Sequence, residues 1–238
     1  MIVAVHQPQF MPWLGYFDKM DSCDVFVLLD NVQYKKNEYQ NRNRIKTSNG
    51  WQWLTVPACY KFPQKINEVL IDNSVNWQKK HICALQTNYG KSPFFEKYIK
   101  HFKGFYDKDW NLLSKANIAS VMLLKDMLGI KSDIVIASEM EGLSDEPNQR
   151  LIDICRRLGA DTYLAGKDGK TYMDLNMFRD AGIDVIFQEF SQPVYIQLFN
   201  EFEYYMSAID LIFNCGKESL DIIRKERVNE YTFHRCAS

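Results

Sequence analysis

The chain of 238 residues is 46% hydrophobic and 14% aromatic, enough apolar material for one large core or two small ones. With 29 Lys and Arg against 30 Asp and Glu, its net charge of −1 supplies no overall field for a polyanion, so nucleic acid is not expected as the principal partner. No apolar run is long enough to span a bilayer, and the first residues enter a strand without a cationic leader, so a cytoplasmic protein is expected.

The chain opens on Ile2-Val3-Ala4-Val5, a wholly apolar run suited to an interior strand, and then delivers His6, Gln7 and Gln9 around Pro8 and Pro12. Trp13, Leu14, Phe17 and Met20 recur at helical spacing after Pro12, which predicts a short helix over Trp13 to Met20. Asp24 and Asp30 bracket a second continuous apolar run, so the opening reads as a βαβ unit. Asp30 to Asn49 is basic and rich in amides, with Tyr34 and Tyr39 interleaved, and reads as a loop or irregular insertion. Trp51 to Val56 alternates like a half-exposed strand stopped by Pro57, with Val69-Leu70-Ile71 as its expected partner.

From Trp77 to Leu128 the periodicity is helical throughout, so residues 75–129 form an inserted helical layer that can act as a lid or as the surface of a homodimer. Strand and helix alternation then resumes. Ile134-Val135-Ile136 is a strand; Ser144 caps a helix that tolerates Pro147 in its first turn and stops at Gly159. Thr162 to Ala165 and Asp184 to Phe187 are strands around a helix over Met173 to Ala181, and Met206 to Asn214 and Ser219 to Arg227 close the chain as helices. The expected fold is α/β, a mainly parallel, three-layer Rossmann-like or nucleotidyltransferase-like sheet with an inserted helical segment, in one domain spanning 1–238.

Open α/β sheets build sites where polar residues leave the C-terminal ends of strands, which directs attention to His6, Gln7 and Gln9. An imidazole and two amides can donate to phosphate oxygens or orient a carbonyl, and Gly15 lets a ligand lie against the following helix. Capping a strand through a backbone hydrogen bond is the ordinary alternative for His6. Beyond the second strand, Arg42 and Arg44 can fork onto a diphosphate while Asn41 reads hydroxyls, although a solvated loop explains the same charges.

Gly166-Lys167-Asp168-Gly169-Lys170-Thr171 ends like a P-loop, but Leu164 stands where its first glycine belongs, so it is not a Walker motif. Its glycines and lysines can still cradle an anion, or form a plain tight turn. Asp30, Asp168 and Asp174 can hold magnesium, act as bases or cap helices. Cys23, Cys59, Cys83, Cys155, Cys215 and Cys236 show no C-x-x-C and no zinc spacing, so reduced thiols and no structural metal are expected. An H-x-G-H strand end of the nucleotidyltransferase type would need a histidine at Gln9 and an internal glycine, and both are missing.

The assembled blocks resemble the WbqC family. The likeness rests on His6-Gln7-Pro8-x-x-x-Pro12-x-x-Gly15-Tyr16-x-x-Lys19, on Asp30-x-Val32-Gln33-Tyr34 with Asn41-Arg42 and Ile45, and on Trp53-Leu54-x-Val56-Pro57. Later blocks are Leu164-x-Gly166 to Tyr172, Tyr195-x-Gln197 and Ser207-x-Ile209-Asp210-Leu211-x-x-Asn214-x-Gly216. The resemblance implies shared residues at His6, Gln7, Pro8, Gly15, Lys19, Gln33, Asn41 and Arg42, and a link to bacterial surface-polysaccharide and O-antigen gene clusters. With it, the chain is expected to be a transferase moving glycine or another aminoacyl group from an amino-acid donor to an amino sugar on a nucleotide or lipid carrier.

The expected catalytic residues are His6, Gln7 and Lys19; Gln9, Gly15, Asp30, Gln33, Asn41, Arg42, Arg44, Gly166, Lys167, Asp168 and Lys170 are expected to hold substrate or phosphate. ATP with magnesium enters only if the protein activates its own donor. The alternatives are a noncatalytic sugar-nucleotide binder of a polysaccharide assembly complex and a nucleotidyltransferase acting on a sugar phosphate.

Overall fold

The computed structural model describes residues 1–199, 201–225 and 227. In chain order the elements are β1 (Ile2–His6), α1 (Leu14–Asp21), β2 (Val25–Leu28), β3 (Arg42–Thr47), β4 (Gly50–Thr55), β5 (Ala58–Cys59) and β6 (Leu70–Ile71). A helical stretch follows, α2 (Trp77–Tyr89), α3 (Phe95–Tyr106) and α4 (Leu113–Leu128). Next come β7 (Asp133–Ile136), α5 (Pro147–Leu158), β8 (Thr162–Ala165), α6 (Leu175–Asp180), β9 (Asp184–Phe187), α7 (Ala208–Cys215) and α8 (Ser219–Lys225).

Five strands form one all-parallel sheet in the order β7-β2-β1-β8-β9, with Ala4 paired to Phe26 on one side and Leu164 on the other. The side-chain period of two sorts these strands onto two cores. Ala4, Phe26, Leu28, Leu164 and Ile186 face a core shared with α1, α2, α3, α4 and α7, whereas Val3, Val5, Val25, Val27, Ala165 and Phe187 face a smaller one closed by α5 and α6. Helices thus cover both faces, which is the Rossmann-like three-layer arrangement expected from the apolar runs. The chain leaves β1 toward β2 and β7 and returns to its other side with β8 and β9, so the strand order reverses between β1 and β8.

Local differences from the expectations have physical causes. Residues 42–47 are a strand, not part of a loop: β3 pairs antiparallel with β4, placing Arg42 opposite Thr55. Asn43 and Ile45 turn inward while Arg42 and Arg44 lie over the Trp53 and Trp51 rings at 4.2 and 5.1 Å, so charge disguised an alternating strand. Val69-Leu70-Ile71 does not partner the Trp51 strand; Ile71 pairs with Ala58 instead. Glu146, not Ser144, caps α5, because Pro147 at its first position puts the cap one residue earlier and the carboxylate accepts from Asn148 N at 3.1 Å. The expected closing helix is described through Lys225, and the five described cysteines are free; Cys236 lies outside the described residues. Among the described residues no helix is long and apolar enough to cross a membrane.

Candidate functional site

The corner after β1 is built by other elements as much as by its own residues. Met11 adopts φ +44°, a left-handed conformation unfavourable for its side chain, and its N–H donates to Ser120 Oγ at 3.0 Å. Asn117, fully buried on α4, donates to Pro8 O at 3.1 Å and to Gln40 O at 2.6 Å. Pinned by α4 in this way, the corner directs His6 and Gln7 into a cavity of about 900 Å³ at the C-terminal ends of the parallel strands. Its walls include Val5, Leu29, Gly166 and Gln188, from or just beyond four neighbouring strands. This is the point where the strand order reverses, the crevice in which open α/β sheets place ligands.

The imidazole of His6 is held by Nδ1, 3.0 Å from Gln7 O; the carbonyl can only accept, so Nδ1 carries the hydrogen and Nε2 is left as an acceptor. Tyr16 packs its ring 4.7 Å from the imidazole and donates its hydroxyl to the same carbonyl at 3.3 Å. Burial, reinforced by the positive charge of Lys19, pushes the His6 pKa down to about 4, so the ring is neutral near pH 7. Lys19 is itself 3% exposed and donates from Nζ to Val5 O at 2.9 Å, while burial pushes its pKa down to about 8. Gln7 is oriented by its Oε1, which accepts from Gln40 Nε2 at 2.7 Å.

Of the residues expected to serve the site, the structure brings His6, Gln7, Gly15, Lys19, Gln33, Gly166, Lys167 and Asp168 onto this cavity. The others do not line it. Asp30 is buried and accepts from Ser138 N at 2.9 Å and Ser138 Oγ at 2.8 Å, tying β2 to the turn after β7. Asn41 is spent on Val56 O at 3.0 Å, Arg42 and Arg44 lie on the tryptophans of the hairpin, and Lys170 faces Glu189 at 3.8 Å. Gln9 turns its Oε1 into the protein, where it has no partner among the described residues. Gly15 has a packing reason for lacking a side chain, since a Cβ there would land inside the Trp13 indole.

Further lining residues were missed in the sequence: Lys65, Asp145, Arg150, Tyr172, Gln188 and Phe190. Lys65 and Arg150 stand in segments with no strand-end signature, and only the folded chain carries them to the rim. Gln188 does follow the last strand directly, and the strand-end rule applied to Phe187 would have found it. Arg150 is steered by Ser144 O at 2.8 Å and Asp145 O at 2.9 Å. Lys65 and Lys167 have no carboxylate partner among the described residues, so the rim carries more positive than negative charge, and aromatic Trp13, Tyr172 and Phe190 complete the wall. Such a rim suits phosphate oxygens. Among the described residues no group of three His, Cys, Asp or Glu side chains is placed to hold a metal ion.

A family model described as WbqC-like protein family matches residues 7–222, from Gln7, directly after β1, through α7 and into α8. A Mycobacterium tuberculosis protein, described as uncharacterized protein Rv1507c, is 36% identical over 226 residues, covering 93% of this chain and 97% of its own length. No solved structure matches. By the extent of the family match and of that full-length similarity, the chain belongs to the WbqC-like protein family.

Proposed function

We propose that this protein is a transferase of bacterial O-antigen or surface-polysaccharide biosynthesis that places glycine or another aminoacyl group on the amine of a nucleotide-linked or lipid-linked amino sugar. The observation that carries the reading is His6: Nδ1–H is fixed on Gln7 O, and Nε2 remains an acceptor on the wall of a cation-rimmed cavity. The burial and the Lys19 charge that keep this imidazole neutral act in the same sense on a bound ammonium, favouring the free amine that attacks.

In the reaction, the amine nitrogen bonds to the activated carbonyl carbon, His6 Nε2 receives the proton lost by nitrogen, and the bond from carbon to the leaving group breaks. Oxyanion charge is countered by the Lys19 ammonium and by Gln7 Nε2, whose amide is already oriented by Gln40. If the donor is activated in place, the rim cations Lys65, Lys167 and Arg150 hold the phosphates of ATP; if a carrier delivers it, they hold the phosphates of the sugar carrier.

The test compares surface-glycan masses of cells carrying the wild-type gene, no gene, or His6→Gln. An aminoacyl mass present only with wild type is the expected result. An unchanged glycan in all three would sink the transferase reading and favour a noncatalytic binder. Amino-acid-dependent exchange of pyrophosphate into ATP then decides whether the protein activates its own donor.

A further inference from the structure

Two side-chain amides on the cavity wall have both of their N–H groups turned into the protein. Gln33 Nε2 donates to Tyr34 O and Gln64 O, each at 3.1 Å, and Gln188 Nε2 donates to Gly15 O at 2.8 Å and Asp18 Oδ2 at 2.7 Å. All four partners are carbonyl or carboxylate oxygens, so neither amide can be reversed without setting acceptor against acceptor. Asp18 is itself anchored by Arg227 Nε at 2.8 Å, which makes the Gln188 geometry stiff. Among the described residues each amide is left with an Oε1 that has no partner and is not buried, in a residue lining the cavity. His6 Nε2 adds a third acceptor.

Gln33, Gln188 and His6 therefore present hydrogen-bond acceptors beside the Gln7 and Lys19 donors, while the rim presents Lys65 and Lys167, cations with no carboxylate partner among the described residues. Gln33 and Lys65 are antiparallel bridge partners, so a ligand that fits both donates N–H and O–H hydrogens to the glutamines and carries phosphate beside them. A carbonyl or carboxylate set against Gln33 or Gln188, instead of against the Gln7 and Lys19 donors, would meet like dipoles and leave those acceptors unpaired.

We propose that Gln33 and Gln188 are the residues that select the acceptor, their carbonyl oxygens receiving hydrogens of the amine and adjoining hydroxyls of a diphosphate-linked amino sugar while Lys65 and Lys167 meet the diphosphate. The inference rests on the acceptor class of the transferase reading, but it concerns binding and stands apart from catalysis.

Calorimetry on the full chain tests it, with uridine, guanosine and thymidine diphosphates alone, as hexose conjugates and as amino-sugar conjugates, and with a short-chain polyprenyl diphosphate amino sugar. At least one amino-sugar conjugate should bind more tightly than its hexose counterpart, and the carrier that binds distinguishes nucleotide from lipid. Gln33→Met and Gln188→Met should each weaken the amino-sugar conjugate by about tenfold, the scale of one lost hydrogen bond in a closed site, and leave the affinity for the bare diphosphate unchanged. Gln188→Met also breaks the tie to Gly15 and Asp18, so Gln33→Met, on the opposite wall, keeps the test decisive if the former fails to fold. Equal loss for sugar conjugate and bare diphosphate, no loss, or no binding across the panel overturns the proposal. Selective loss in the glutamine variants without any aminoacyl transfer by wild type supports it and removes the transferase reading instead.

Discussion

Lys19 reaches from α1 back under the first strand, and its Nζ donates to Val5 O at 2.9 Å with the side chain 3% exposed. A buried ammonium with one protein acceptor is poorly compensated, which is why burial pushes its pKa down to about 8 from 10.5. Between those values the unfolded chain binds more protons than the folded one, so stability should rise as pH climbs from 8 to 10.5, by about 3 kcal/mol in all. Lys19→Met should erase this rise and, at pH 7, be neutral or stabilising, because an apolar side chain of similar length replaces a buried charge. Urea midpoints at several pH values check both statements. In the proposed reaction the same variant should lose at least about tenfold in turnover, since the oxyanion loses its cation.

His6 and His81 act in the same sense as Lys19, in a lower pH window. Burial pushes both imidazoles down to about 4 from 6.5, with Lys19 adding to the effect at His6. Below pH 6.5 the unfolded chain takes up protons that the folded chain refuses, so stability held at neutral pH is lost as pH falls toward 4, by up to about 3 kcal/mol for each ring. His81 Nε2–H is held on Thr55 O at 3.1 Å and Nδ1 accepts from Tyr106 at 3.2 Å, so its neutral form is structural. Denaturant midpoints from pH 7 to 4 should show a shallower decline in His6→Gln and in His81→Gln than in wild type. Transfer activity should be sensitive to His6→Gln and indifferent to His81→Gln.

The apolar runs around Ala4, Phe26, Leu164 and Ile186 made the parallel sheet legible in the sequence, because strands buried on both faces need no alternation. His6 and Gln7 were legible as residues that open onto the strand-end cavity for the related reason that they end such a run. The hairpin was not, because Arg42 and Arg44 are buried partly by tryptophans and look like loop charges until Trp51 and Trp53 are folded over them. Rim residues such as Lys65 and Arg150 were also hidden, being brought to the cavity by contacts far apart in the chain. Composition alone cannot tell such a lysine from a solvated one.

Asp30 and the hairpin arginines separate structural roles from binding roles. Asp30→Ala leaves Ser138 N and Oγ without their acceptor in a partly buried position and should cost about 2 kcal/mol. Arg42→Ala removes a cation from the Trp53 face and should cost roughly 1 kcal/mol. Both losses should appear in thermal melts, while affinity for the diphosphate probes stays at the wild-type value. A selective loss of that affinity in Arg42→Ala would return the arginine to the site.

Asn117 offers the sharpest test that the corner's geometry is imposed by the helical layer. Its amide bridges Pro8 O and Gln40 O from a fully buried position on α4, next to the Ser120 hydroxyl that holds the strained Met11 N–H. Asn117→Ala removes two donors and leaves two buried carbonyls unpaired, for an expected loss of about 2 to 4 kcal/mol. Gln40 also orients Gln7, so releasing its backbone should loosen the amide beside His6 as well. Asn117→Ala should therefore lower ligand affinity and turnover although residue 117 does not line the cavity, whereas Asn88→Ala, which removes a half-buried bond to Ala84 O within α2, should leave both unchanged. Equilibrium unfolding and calorimetry on the two variants give the comparison. If affinity survives in Asn117→Ala at temperatures where the protein remains folded, the corner is held by its prolines and β1 alone.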